Sequence, residues 1–130
     1  LIPAAQLILK LNFPLEVDYL HATRYGDATE GAELEWKVYP ATSIENRTVL
    51  VVDDIFDQGH TLEAVCKYLK AKGAKEVLSA VVINKLHDRK VSFRPDYIGL
   101  DIEDRFLYGF GMDYKGYLRN ANGIYAVKGL

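Results

Sequence analysis

Apolar and polar positions change rhythm several times along the chain, and each change marks an expected element. Leu1, Ala4, Ala5, Ile8 and Leu11 recur at helical spacing, and Asn12 followed by Pro14 closes that pattern. Leu15 to Ala22 alternates as a strand does, and so does Leu34 to Tyr39, which should pair with a neighbour beside the loop it follows. Arg24 to Gly31 turns polar, with Gly26, Asp27 and Gly31, the pattern of an exposed, mobile loop. Thr48 to Val52 is an apolar run bounded by loop residues, which predicts a central strand buried on both faces. Leu62, Val65, Cys66 and Leu69 then form the inner stripe of a helix from about Thr61 to Lys72, with Gly73 as its stop. Glu76 to Ile83 is the next core strand, ending at Asn84 and Lys85. A strand, helix and strand in that order predict a right-handed crossover between parallel strands. The rest is loop-rich, with short strands expected at Tyr97–Gly99, Phe106–Tyr108 and Gly123–Val127.

Composition narrows this α/β reading. The 130 residues fit one domain, large enough to bury a core without staples. A formal charge of −2 gives no electrostatic case for nucleic acid or an anionic membrane surface. Cys66 is the single cysteine, so no internal disulfide forms and a reducing, cytoplasmic compartment is expected. On the inner stripe of a helix it reads as a small buried hydrophobe. No apolar run approaches the about 18 residues of a membrane span, and no secretory signal is read. The chain begins at Leu1, without Met, inside its first helical pattern, so a processed or truncated N-terminus is expected.

The candidate chemistry lies in the stretch from Val49 to Thr61. Four aliphatic residues run straight into Asp53 and Asp54, and Asp57 then opens a Gly-containing turn ending at Thr61. Open α/β sheets place ligands at the carboxyl ends of their strands. Neighbouring carboxylates repel unless a cation or a polyhydroxylated ligand pairs them, and Mg²⁺ is often shared between carboxylates and a substrate phosphate. Gly59 before a helix start aims backbone N–H groups and the positive dipole end at one spot, which suits a phosphate. Thr61 adds a hydroxyl donor and His60 a second donor. Together the halves describe a sugar phosphate. Asp57 can equally be read as a helix cap. A GxxxxGK[ST] phosphate loop and a GxGxxG dinucleotide turn are both absent.

Apolar strand, two acids, two residues, Asp, one residue, Gly, one residue, Thr: this order resembles the signature with which type I phosphoribosyltransferases bind 5-phosphoribosyl 1-pyrophosphate (PRPP). The C-terminal half narrows the likeness. Lys85 is followed by Pro95-Asp96-Tyr97-Ile98-Gly99, Asp104-Arg105-Phe106-Leu107-Tyr108-Gly109, Met112-Asp113-Tyr114 and Tyr117-Leu118-Arg119. That succession is similar to the hypoxanthine-guanine phosphoribosyltransferases of purine salvage. The resemblance implies a single phosphoribosyltransferase domain over residues 1–130, lacking its N-terminal segment. Its fold would be a central, mostly parallel sheet flanked by helices, with a flexible lid loop and a C-terminal hood-like segment for the base.

What the resemblance implies extends to individual residues. Asp53 and Asp54 would hold the ribose hydroxyls, directly or through Mg²⁺. Asp57 would manage the proton at purine N7, and Asp57, Gln58, Gly59, His60 and Thr61 would cradle the 5′-phosphate. Lys85 would donate to the exocyclic oxygen of a 6-oxopurine, Phe106 would stack on the base, and the Leu107 backbone would read its edge. Asp113 would join the purine-binding residues and help bind a second Mg²⁺, Arg119 would contact pyrophosphate, and Tyr25, catalytic together with Asp57, would sit on the lid. The products would be IMP or GMP, and the enzyme a homodimer or homotetramer. This chain departs from the family in Arg24 before Tyr25, where serine is usual, and in Gln58 and His60, where threonine and lysine are frequent. The family's pyrophosphate loop, with its non-proline cis peptide, is expected upstream of Leu1.

Plainer readings stand beside these. Lys85 can be a snorkelling strand-end lysine, Phe106 a core residue, and Asp113 with Arg119 a surface ion pair. His21, His60 and His87 show no metal-ligand spacing, and Trp36 fits the core or a subunit contact. A regulatory protein that keeps the PRPP pocket without catalysis is the alternative from another class, and a transferase preferring xanthine a third. Adenine is disfavoured, because an ammonium only donates and the exocyclic amine of adenine does not accept.

Overall fold

The computed structural model describes residues 1–24 and 34–130. The expected lid, including Tyr25, lies outside the described residues beyond Arg24. The elements in order are α1 (Ile2–Ile8), β1 (His21–Arg24), β2 (Leu34–Val38), β3 (Thr48–Phe56), α2 (His60–Ala71), β4 (Glu76–Leu86), β5 (Tyr97–Glu103), β6 (Leu107–Tyr108) and β7 (Tyr125–Ala126). Strands β3, β4 and β5 form a parallel sheet in that order, β1 and β2 an antiparallel pair, and β6 and β7 another.

Register does most of the positioning. Strand β3 pairs with β4 from Thr48 opposite Glu76 to Phe56 opposite Asn84. Strand β4 pairs with β5 from Ala80 opposite Tyr97 to Leu86 opposite Glu103. One step past the first ladder lie Asp57 and Lys85, and one step past the second lie His87 and Asp104. The carboxyl ends of three strands therefore deliver four polar side chains to one rim.

Helix α2 matches its sequence pattern. Leu62, Val65, Cys66 and Leu69 are all buried along α2, as a single helical stripe requires. They pack on Phe56 and Val81, with Val51, Val77 and Phe93 around them. Burial pushes the Cys66 thiol up to about 11, with help from the Asp96 charge, so it stays protonated. A second cluster joins Ile83 to Leu107 and Met112, with Ile55, Ile102 and Ile124 beside it. This cluster is what fastens the loop-rich C-terminal segment to the sheet. Trp36 stacks on Tyr39 at 4.9 Å and meets Tyr68 of α2 at 4.5 Å, which seats the β1–β2 pair on the helix.

Three expectations are corrected. Only the end of the alternating stretch from Leu15 becomes strand, because Leu15, Val17 and Tyr19 lie exposed with no neighbour to pair with. Strand β3 does not stop at Val52. It runs through the acidic pair to Phe56, since β4 is long enough to pair with it that far. Among the described residues β3 is also an edge of the sheet, with β4 the central strand, so Thr48 to Val52 is not buried on both faces: none of the five is fully buried and Leu50 is exposed.

Asp96 shows how the sheet is locked at its lower end. The backbone N–H and the hydroxyl of fully buried Ser79 donate to its carboxylate at 2.8 and 3.4 Å, and its own N–H donates to the Ser79 carbonyl at 3.0 Å. Replacing Asp96 with Ala should strand two buried donors and destabilise the fold by about 1–3 kcal/mol. Asp101→Ala, which loses only the exposed contact from Asn84, should change the urea midpoint far less. Equal midpoints for the two variants would contradict this reading.

Candidate active site

The turn after β3 is shaped by a glycine. Gly59 has φ +94°, and a Cβ there would meet the Phe56 ring at 2.5 Å, so any side chain would displace the core residue beneath it. Gly59 is also the residue before α2, which carries no side-chain cap. The first-turn N–H groups, those of His60, Thr61 and Leu62, lack intrahelical partners and face outward with the helix dipole. Asp57 is therefore not a cap. Its carboxylate is turned toward the end of β4 instead.

There it meets three partners. His87 Nε2 lies 2.6 Å from Asp57 Oδ1, and Lys85 Nζ lies 3.6 Å from Oδ2. Lys85 also reaches Asp104 at 3.9 Å, and Arg89 is ion-paired to that same carboxylate. Burial pushes the Asp57 carboxyl up, but the hydrogen bond from His87 and the Lys85 charge outweigh it and hold the group below its usual value. Asp57 is thus an anion that is nearly half exposed (47%), beside a lysine that is largely enclosed (13%). Lys85 is no snorkelling chain: its ammonium stays within the rim.

A second lysine holds the main chain. Lys90 Nζ donates to the carbonyls of Phe56 and Asp57 at 3.1 and 2.9 Å and to Asn84 Oδ1 at 2.8 Å, with its charge 4.5 Å from the Phe56 ring centre. Val91 N–H donates to the Gln58 carbonyl at 3.0 Å. The segment after β4 thus grips the turn after β3 by backbone and side chain together. Burial pulls the Lys90 ammonium below its ordinary value against the raising influence of Asp57.

Asp53 and Asp54 stand further back on β3, against Pro3, Ala4 and Gly111 in a small cleft. Asp53 Oδ1 accepts the Asp54 backbone N–H at 2.8 Å. The surrounding protein and then the Asp54 charge push the Asp53 carboxyl up to about 7. Asp53 keeps one side open to water, so the mutual repulsion of the acids is the sturdier of the two causes. Two adjacent carboxylates with no basic side chain hydrogen-bonded or ion-paired to them among the described residues fit a hard, oxygen-seeking cation such as Mg²⁺. Asp57, His87 and Asp104 bring ligand atoms within 4.8 Å of one another, but Lys85 and Arg89 already neutralise that group.

The remaining residues fall on the C-terminal segment. Phe106 is half exposed (47%), with Tyr114 edge-on at 5.9 Å, so a ring face is open to a planar ligand. Leu107 is buried and paired to Ala126, which fixes its backbone. Asp113 accepts from Gly116 N–H at 2.8 Å and pairs with Arg119 at 3.4 Å. Arg119 donates to the Gly111 carbonyl at 2.9 Å. The surface ion pair is what the structure shows for these two, and either must leave its partner to meet a metal or pyrophosphate. Sequence reasoning passed over His87, Lys90 and Asp104 as site groups. The one available signal was that His87 follows Lys85 by two residues, the period that returns a strand residue to the same face.

Comparison with known proteins places this geometry. The model of the phosphoribosyl transferase domain family matches residues 1–115. A hypoxanthine-guanine phosphoribosyltransferase of Bacillus subtilis is 30% identical over 125 residues, which are 95% of this chain and 69% of that protein. The namesake from Aquifex aeolicus is 40% identical over 85 residues, 65% of this chain and 48% of its own. A crystal structure of a hypoxanthine phosphoribosyltransferase from Staphylococcus aureus superposes with a TM-score of 0.91 at 28% identity, covering 98% of this chain and 70% of that one.

The acid pair makes a prediction about pH. A carboxyl whose pKa rises on folding, from 3.8 to about 7, takes up protons in the folded state. Its ionisation therefore subtracts stability progressively as pH climbs between those values. Asp53→Asn, without added divalent ions, should raise the melting temperature clearly at pH 8 and little at pH 4.5. A gain that is equal at both, or larger at the acid end, would refute the reading.

Proposed function

The chain belongs to the phosphoribosyl transferase domain family, and from that premise we propose that it transfers the 5-phosphoribosyl group of PRPP to hypoxanthine or guanine. The products are IMP or GMP and pyrophosphate, the chemistry of purine salvage. The observation that carries the reading is the 3.6 Å contact between Lys85 and Asp57. It sets a 6-oxopurine-reading cation beside the turn that holds the sugar phosphate.

In this reading the outward N–H groups from Gln58 to Thr61 hold the 5′-phosphate. Lys85 donates to the exocyclic oxygen, Phe106 lies on the purine face, and the Leu107 backbone meets its edge. N9 of the base attacks the anomeric carbon as the bond to pyrophosphate breaks, through an oxocarbenium-like state. Asp57, kept ionised by its neighbours, takes the purine proton at N7. Asp53 and Asp54 hold the ribose hydroxyls and Mg²⁺, with Asp113 toward a second ion and Arg119 toward pyrophosphate. Mg²⁺, when bound, screens the charge of the leaving pyrophosphate. Most of the acceleration comes from holding donor and acceptor in line. Tyr25, on the segment expected to close over the site, excludes water. The setting is cytoplasmic and the assembly a homodimer or homotetramer of single-domain chains. No helix among the described residues is long and apolar enough to cross a membrane.

Incubated with PRPP, Mg²⁺ and hypoxanthine, guanine or xanthine in turn, the protein should convert a 6-oxopurine to its nucleotide, followed by absorbance. Asp57→Asn should lower kcat by about 10²-fold or more, and activity within a few-fold of the parent would remove the proton-transfer role. Lys85→Gln should raise KM for the base and leave PRPP binding near its parental value. PRPP binding with no nucleotide from any base would favour a regulatory protein instead.

A further inference from the structure

His87 is more enclosed than Lys85, Asp57, Asp104 or Arg89, with 6% of its side chain exposed, and the transfer chemistry above gives it no contact with substrate. Its two ring nitrogens are both engaged. Nε2 faces Asp57 Oδ1 at 2.6 Å, and Nδ1 lies 3.1 Å from the backbone N–H of Arg89. A backbone N–H can only donate, so Nδ1 must keep its lone pair. The ring proton then sits on Nε2, and the imidazole donates it to the carboxylate. A second proton on Nδ1 would set two donors against each other.

The charges around the ring favour the same state. Asp57 and Asp104 are balanced by Lys85 and Arg89, all within one chain of contacts. Lys90 faces the main-chain oxygens of Phe56 and Asp57. A neutral ring completes the cluster.

We infer that His87 is a positioning residue for Asp57: a neutral imidazole whose Nε2–H occupies Oδ1 and leaves Oδ2, beside Lys85, as the oxygen that meets the purine. This rests on the transfer reading for its catalytic consequence, though not for its geometry. Without His87 the carboxylate is free to rotate about its own bond, and either oxygen can swing to Lys85 or Lys90. The hydrogen bond also favours the ionised carboxylate, so its loss weakens Asp57 as an anion while making it a stronger base. The side chain is part of how the turn is held, and it reaches no substrate.

Two measurements need no turnover. With ¹⁵N-labelled histidine in the complete protein, the His87 ring at pH 7 should show a protonated Nε2 and a bare Nδ1. The opposite tautomer or a doubly protonated ring would overturn the inference. In His87→Ala the Asp57 carboxyl, followed by ¹³C shift, should titrate higher than in the parent, and an unmoved midpoint would overturn it. In turnover, His87→Ala should lower kcat about tenfold with KM nearly constant, and lift the acid limb of the pH profile; His87→Gln, which still presents an N–H, should recover most of kcat. A glutamine variant no better than alanine, both folded, would overturn the positioning role. If His87→Ala does not fold, the parental ring spectrum decides. A parent with the expected ring state and no nucleotide product would end the transfer reading alone.

Discussion

The parallel ladder between β3 and β4 is the constraint on which the site depends. It pairs Phe56 with Asn84 at its last rung, and Asp57 and Lys85 follow one residue later. A slip of one residue would turn each side chain to the other face of the sheet, parting Asp57 from Lys85 and burying a carboxylate against α2. The register is secured from below by Val51, Val77 and Val81 packing under Leu62 and Cys66. Core packing and site geometry are therefore one requirement, met by the same two strands.

Electrostatics at the rim follow from that register. Three strand ends bring two acids and two bases into contact, with an imidazole between them. The rim is close to neutral as a whole, while individual groups keep their charges. Asp57 can stay ionised at half exposure because its partners arrive pre-placed on the central strand. The pair on β3 behaves in the opposite way: Asp53 and Asp54 have each other and no basic side chain hydrogen-bonded or ion-paired to them among the described residues, and one of them is pushed toward protonation. One site thus holds a satisfied carboxylate and an unsatisfied pair, two environments suited to different chemistry.

Much of this was legible in the chain. The stripe on α2 carries a single period, and burial follows it; the apolar runs after Thr48 and before Asn84 each marked a strand, though alternate burial appears only in the second. The stretch from Leu15 misled because alternation signals a strand only where a partner exists to take its hydrogen bonds, and Leu15 to Leu20 has none among the described residues. The acid pair was read as the end of a strand because charge interrupts an apolar run; pairing with β4 carried the strand on regardless. His87 stayed hidden for another reason. Its partner is 30 residues away, and only the offset between two strands, which no local pattern records, puts them side by side.

The grip of Lys90 and Val91 on the turn after β3 has a consequence for how that turn comes into being. Its oxygens are held by groups that arrive only after α2 and β4 have been laid down and docked, so the helix start cannot acquire its working shape as an isolated hairpin of chain would. Such non-local closure belongs late in folding. The carbonyls of Phe56, Asp57 and Gln58 are then released only by an opening that also frees the β4–β5 connection, which couples the cup to that connection.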